Sequence, residues 1–194
     1  MLTDLPADLP VPQDDGACDH LSGLAVPDLR FAATSGEKVS LAHLTERRSV
    51  LYIYPMTGRP ERELPPGWAE LPGARGCTPQ SCSFRDHHAE LQALGADVCG
   101  LSSQPSAYQA EAKARLHLPF ELLSDTELSL ADALKLPTFE VEALAELSPD
   151  IPQRLYKRVT LIVSGGHIEK VFYPVFPPDL NALEVLAYLR ANPL

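Results

Sequence analysis

No stretch of the chain approaches the ~20 consecutive apolar residues that a membrane-crossing helix needs, and Met1-Leu2-Thr3-Asp4-Leu5-Pro6 holds neither a basic cluster nor an apolar run. A membrane span and secretion are therefore not expected, and a cytoplasmic location is. Positive charge is scarce: 16 Lys and Arg against 26 Asp and Glu leave a net charge of −10. Such a surface repels phosphate backbones and anionic lipid, so nucleic acid and membrane are excluded as partners, while proteins and small molecules remain. Cysteine is also sparse. Four in 194 residues are too few for a disulfide-stapled scaffold, and in a reducing compartment cysteines close in sequence point to catalysis or metal binding. There is no Cys-x-x-Cys pair, which argues against a dithiol oxidoreductase of that spacing.

What is abundant is apolar side chain, 45% of the chain, enough for the core of one globular unit. Residues 1–20 carry prolines and aspartates without hydrophobic period and read as an extended arm; residues 21–194 read as a single domain. Apolar runs at 49–54, 97–101 and 159–163 read as buried strands, and helical periods fall at about 78–94, 105–116, 127–135 and 179–191. Gly165-Gly166 marks a hairpin between 159–163 and 168–172. Strands alternating with helices and closing in an antiparallel pair predict an α/β architecture. Between the first core strand and the first long helix, about 56–75, lies a connection rich in Pro and Gly whose length is unusual inside a compact domain.

The most informative stretch is Gly76-Cys77-Thr78-Pro79-Gln80-Ser81-Cys82-Ser83-Phe84-Arg85-Asp86. It sets two thiols five residues apart at the start of an amphipathic helix. Unpaired backbone N–H groups and the positive end of the helix dipole favour a thiolate there, and the thiolate is the reactive form. Cys77 shares a helix face with Phe84, His88 and Leu91, while Cys82 lies on roughly the opposite side. In an intact helix their Cα atoms are roughly 8–9 Å apart, beyond the span of a disulfide, so a bond between them requires the first turns to unwind.

This segment resembles the active-site segment of the peroxiredoxin Q group, the bacterioferritin comigratory proteins, within the redoxin (AhpC/TSA) family. Val50-Leu51-Tyr52-Ile53-Tyr54-Pro55 resembles the strand leading into that site, Val98-Cys99-Gly100-Leu101-Ser102 the next strand, and Arg158-Val159-Thr160-Leu161-Ile162-Val163 the strand that carries the family's arginine. The resemblance implies a thioredoxin-like fold, a central mixed β-sheet flanked by helices, here with an insertion before the active-site helix. It also implies an atypical 2-Cys, thioredoxin-dependent peroxidase with no cofactor, acting on hydrogen peroxide or organic hydroperoxides as a monomer or weak homodimer. Cys77 would become a sulfenic acid, Cys82 would condense with it to a disulfide, and a thioredoxin-like protein would restore both thiols.

Arg158 is the candidate cation, with Lys157 and Arg154 as alternatives, and Gln80 matches a family position that orients the arginine. The family's Pro-x-x-x-Thr-x-x-Cys pattern is broken, because Ala74 and Glu70 occupy the threonine and proline positions. The missing hydroxyl is expected from Thr57, beside Pro55, or alternatively from Thr78. A lowered thiol pKa contributes little by itself: a free thiol is about 3% ionised at pH 7, so full ionisation is worth about 2 kcal/mol, against about 8 kcal/mol for a 10⁶-fold acceleration. Most of the rate has to come from groups that polarise the O–O bond.

Other readings use the same residues. Cys77, Cys82, His87 and His88 suggest a metal-binding or redox-sensing module, although the cysteines face apart and lack the usual zinc spacing. A thiol-disulfide oxidoreductase remains the second alternative. Cys99 reads as a small core hydrophobe, and Cys18, beside Asp19, as a poor nucleophile.

Overall fold

In the computed structural model, which describes residue 5 and residues 8–194, the apolar runs form the middle of one mixed sheet. Part of the expected arm, residues 1–4, 6 and 7, lies outside the described residues. The hairpin β1 (Arg30–Ala33) and β2 (Lys38–Ser40) leads through α1 (Leu41–Leu44) into β3 (Ser49–Ile53). After the 56–75 segment come α2 (Cys77–Asp86), α3 (His88–Ala93), β4 (Asp97–Ser102), α4 (Ser106–Leu116), β5 (Leu122–Ser124) and α5 (Ser129–Leu134). A small excursion of β6 (Thr138–Glu140), α6 (Leu144–Leu147) and β7 (Arg154–Tyr156) precedes the closing hairpin of β8 (Val159–Ser164) and β9 (His167–Phe172). A 3-10 turn (Pro178–Leu180) then opens α7 (Asn181–Ala191). The seven-stranded sheet has the order β2-β1-β5-β4-β3-β8-β9, with β3, β4 and β5 parallel and the rest antiparallel.

Both faces of this sheet are covered, which is why β3 reads as an unbroken apolar run. Leu51 and Ile53 join Leu101, Leu161, Leu130 and Leu134 on one side. Val50, Tyr52 and Tyr54 turn to the other, where they meet Phe84 of α2, Leu91 of α3 and Val185, Leu186 and Leu189 of α7. The Tyr52 and Phe84 rings stack with centroids 4.7 Å apart, so α2 is seated on the strand that leads into it. Gly100 on β4 makes room for this pair: a β-carbon there would lie 2.7 Å from the Tyr52 ring.

The sequence-predicted helix at 78–94 is two helices. His87 closes α2 with its N–H on Ser83 O and begins α3, so the phase changes at that residue. The 56–75 segment has a core of its own. Met56, Trp68 and Ala74 pack with Tyr108, Leu144 and Leu155, which belong to α4, α6 and β7. Two of its arginines are engaged: Arg59 lies over the Tyr108 ring at 4.0 Å and Arg62 pairs with Asp150 at 3.3 Å. Cys18 packs against the β-sheet and is buried with Leu21 and Phe31.

Candidate active site

The site is built where α2 begins. Gly76 takes a left-handed conformation (φ 102°), Cys77 follows as the first helical residue, and Gln80 N–H closes the first turn on Gly76 O at 3.0 Å. Cys77 is 3% exposed, and its Sγ is 3.7 Å from Ala74 O. Arg158, the residue just before β8, is also buried, at 4%. Its Nη2 donates toward Cys77 Sγ at 3.2 Å and toward the carbonyls of Gly73, Ala74 and Arg75 at 3.2, 3.3 and 3.0 Å. Its Nη1 donates to Gln80 Oε1. One guanidinium thus holds the turn before the helix, the helix and the sulfur together.

The three residues Cys77, Gln80 and Arg158 are therefore brought together. Lys157 and Arg154 are occupied elsewhere, Lys157 on Asp15 at 2.8 Å and Arg154 on the Thr138 hydroxyl at 2.9 Å. Thr57 departs from expectation. Its hydroxyl donates to Gln104 Oε1 at 3.1 Å, and Gln104 also bonds the Thr57 backbone, accepting from N–H at 2.9 Å and donating to C=O at 3.1 Å. The glutamine amide thus pairs with the Thr57 backbone as a strand would, and its oxygen also accepts the hydroxyl's hydrogen bond. Thr78 instead lines the same niche as Cys77. Cys82 sits midway along α2, half-buried; burial pushes its thiol up, against the opposing pull of Arg85.

The niche at Cys77 holds about 20 Å³, roofed by Met56, Leu64 and Trp68 of the 56–75 segment together with Leu5. That is room for a solute near the size of water. A second cavity of about 460 Å³ is lined by Arg158 with Leu71 and Pro72 of the same segment, Phe139 of β6, and Tyr173 and Val175 after β9. Tyr173, Pro174 and Val175, which follow β9, thus share this cavity with Arg158. His88 is packed 5.7 Å from the Phe120 ring, and burial lowers its pKa. Among the described residues no three His, Cys, Asp or Glu side chains converge as metal ligands would, and no helix is long and apolar enough to cross a membrane.

Two participants escaped the sequence reading. Asn181 accepts a hydrogen bond from Gln80 Nε2 at 2.9 Å and another from the Thr160 hydroxyl at 2.7 Å. Thr160 carried a readable signal, a polar residue inside the apolar run 159–163; Asn181, at a helix start, did not.

Comparison with known proteins places these features in context. The family model described as Redoxin matches residues 21–187. The chain is 32% identical over 174 residues to a chloroplastic peroxiredoxin Q of Triticum aestivum, covering 89% of this chain and 69% of the relative. It is 28% identical over 194 residues to the chloroplastic peroxiredoxin Q of Oryza sativa subsp. japonica, covering 97% and 78%. In fold it is similar to the crystal structure of peroxidoxin BcpB from Mycobacterium tuberculosis, with a TM-score of 0.69 at 24% identity over 90% of this chain and 100% of that one.

Proposed function

The chain belongs to the Redoxin family and is a thiol peroxidase akin to the peroxiredoxins Q and Bcp, and on that premise we propose that Cys77 attacks the peroxide, Arg158 and Gln80 aim it, and Cys82 closes the cycle. The 3.2 Å approach of Arg158 Nη2 to Cys77 Sγ carries this reading. A guanidinium there stabilises the negative charge that develops on the leaving oxygen as the O–O bond breaks, at a site where both Cys77 and Arg158 are buried.

The Cys77 thiolate attacks the terminal oxygen of the peroxide: an S–O bond forms, the O–O bond breaks, and the other oxygen leaves, taking a proton to become water or an alcohol. Sulfur is oxidised by two electrons to the sulfenic acid. Thr78, which lines the niche, is our choice for the hydroxyl that contacts the reacting atoms in place of Thr57. The Cys82 thiolate then attacks the Cys77 sulfur, the S–O bond breaks, a disulfide forms, and the departing hydroxide takes up a proton, equivalent to the one Cys82 lost, to leave as water. Both sulfurs lie within α2, so its first turns unwind for this step. A thioredoxin-like dithiol returns two electrons and two protons.

The size of the niche favours hydrogen peroxide and small hydroperoxides. All the reacting groups come from one chain, so a monomer or weak homodimer suffices, and the cytoplasm suits the free thiols Cys18 and Cys99. Peroxide consumption coupled to thioredoxin tests the assignment. Cys77→Ser is expected to abolish turnover, while Cys82→Ser is expected to consume one equivalent and stop. Full turnover by Cys77→Ser would remove Cys77 from the role.

A further inference from the structure

We infer that Asn181 is a positioning residue for the peroxidase reaction: by accepting the Gln80 hydrogen bond it turns the Gln80 oxygen toward Arg158 and so fixes the guanidinium that faces Cys77. The inference rests on the assignment of Cys77 as the attacking sulfur. A guanidinium only donates, so the Gln80 atom that meets Arg158 Nη1 has to be oxygen. Gln80 is fully buried, and its NH₂ group is then left pointing the other way with a donor to satisfy.

Asn181 Oδ1 receives that donor at 2.9 Å and the Thr160 hydroxyl at 2.7 Å. The direction of this relay follows from the donors. Reversing the Asn181 amide would set NH₂ against NH₂, and reversing both amides would set NH₂ against the guanidinium. Arg158 immediately precedes β8 and Thr160 is the second residue of that strand, so the two ends of the relay lie two residues apart along one extended segment. Gln80 from α2 and Asn181 from α7 join above it.

A second observation separates positioning from packing. Asn181 is fully buried, and among the described residues its Nδ2 has no hydrogen-bond partner. An orphaned buried amide is a standing cost that an apolar residue of the same size would avoid. The asparagine is explained by its oxygen. It is also a neutral acceptor: an aspartate would take both bonds without the orphan, but its charge would share the guanidinium field with the sulfur.

A double-mutant cycle tests this, read as the second-order rate constant for Cys77 oxidation by hydrogen peroxide. Asn181→Leu is expected to slow the reaction about tenfold when residue 80 is glutamine, the scale of one misdirected charge-assisted hydrogen bond. In a Gln80→Glu background, whatever its own rate, the same change is expected to matter less than about twofold, because a carboxylate offers Arg158 an oxygen in either orientation. Equal losses in both backgrounds, or no loss in either, would overturn the inference. Asn181→Ala, which only removes atoms, carries the same cycle if Asn181→Leu does not fold. Cys77→Ser distinguishes the two levels: an inactive Cys77→Ser with no coupling between 80 and 181 sinks only the positioning role, whereas an active one sinks the assignment beneath it.

Discussion

Gly76 and Pro178 meet so closely that a β-carbon on Gly76 would lie 2.2 Å from Pro178 Cγ. The same glycine has φ 102°, a conformation that residues with side chains avoid. Gly76→Ala is therefore expected to destabilise the protein by at least about 2 kcal/mol, combining left-handed strain with overpacking. Because Cys77 is the next residue, its oxidation by peroxide is expected to slow as well. A thermal melt and a single-turnover rate check both; an unchanged rate would mean that α2 starts correctly without this contact.

Arg158 holds Gln80 with one nitrogen and Cys77 Sγ, together with three carbonyls, with another. Lysine has one nitrogen and cannot span both. Arg158→Lys is expected to retain the fold and to lower the rate constant for hydrogen peroxide by about 10²-fold or more, the usual loss when a donor to developing negative charge is removed. Stopped-flow kinetics on the reduced protein would show it.

Burial pushes the Cys82 thiol up, so near neutrality it is protonated in the intact helix. Thiolate attacks sulfenic acid, and disulfide formation is expected to accelerate by about tenfold per pH unit while the thiol is the dominant form. Acid quenching at successive times, with the disulfide counted by mass, measures this. A pH-independent second step would instead make the unwinding of α2 rate-limiting.

Cys18 and Cys99 are pushed by burial from 9.0 to about 12. In the folded protein both are expected to resist alkylation at pH 8 and to remain thiols after one equivalent of peroxide. The sign for stability follows from folded values lying above unfolded ones. Their contribution is present in full below about pH 9 and is lost as pH rises toward 12, because only the unfolded chain ionises them readily. Alkaline titration of unfolding should be shallower in Cys99→Ala than in the parent.

The central strands were legible because Val50 to Ile53, Val98 to Leu101 and Val159 to Val163 are buried on both faces and leave continuous apolar runs. The three-residue strands β2, β5, β6 and β7 were not, since three residues establish no period. Cys77, Gln80 and Arg158 could be named from local pattern and family likeness. Thr57 could not be placed, because the competing acceptor, Gln104, is 47 residues away in sequence. The burial of Trp68, within the Pro- and Gly-rich 56–75 connection, depends on Tyr108, Leu144 and Leu155, which sequence order does not bring near it. Asn181 was invisible for the same reason, as its role is defined entirely by residues on two other elements.

Peptide mass mapping after one equivalent of hydrogen peroxide tests the central claim most directly. A linkage between the Cys77 and Cys82 positions, with Cys18 and Cys99 free, is the result expected. An intramolecular disulfide that persists in Cys82→Ser, or oxidation that bypasses Cys77, would contradict it.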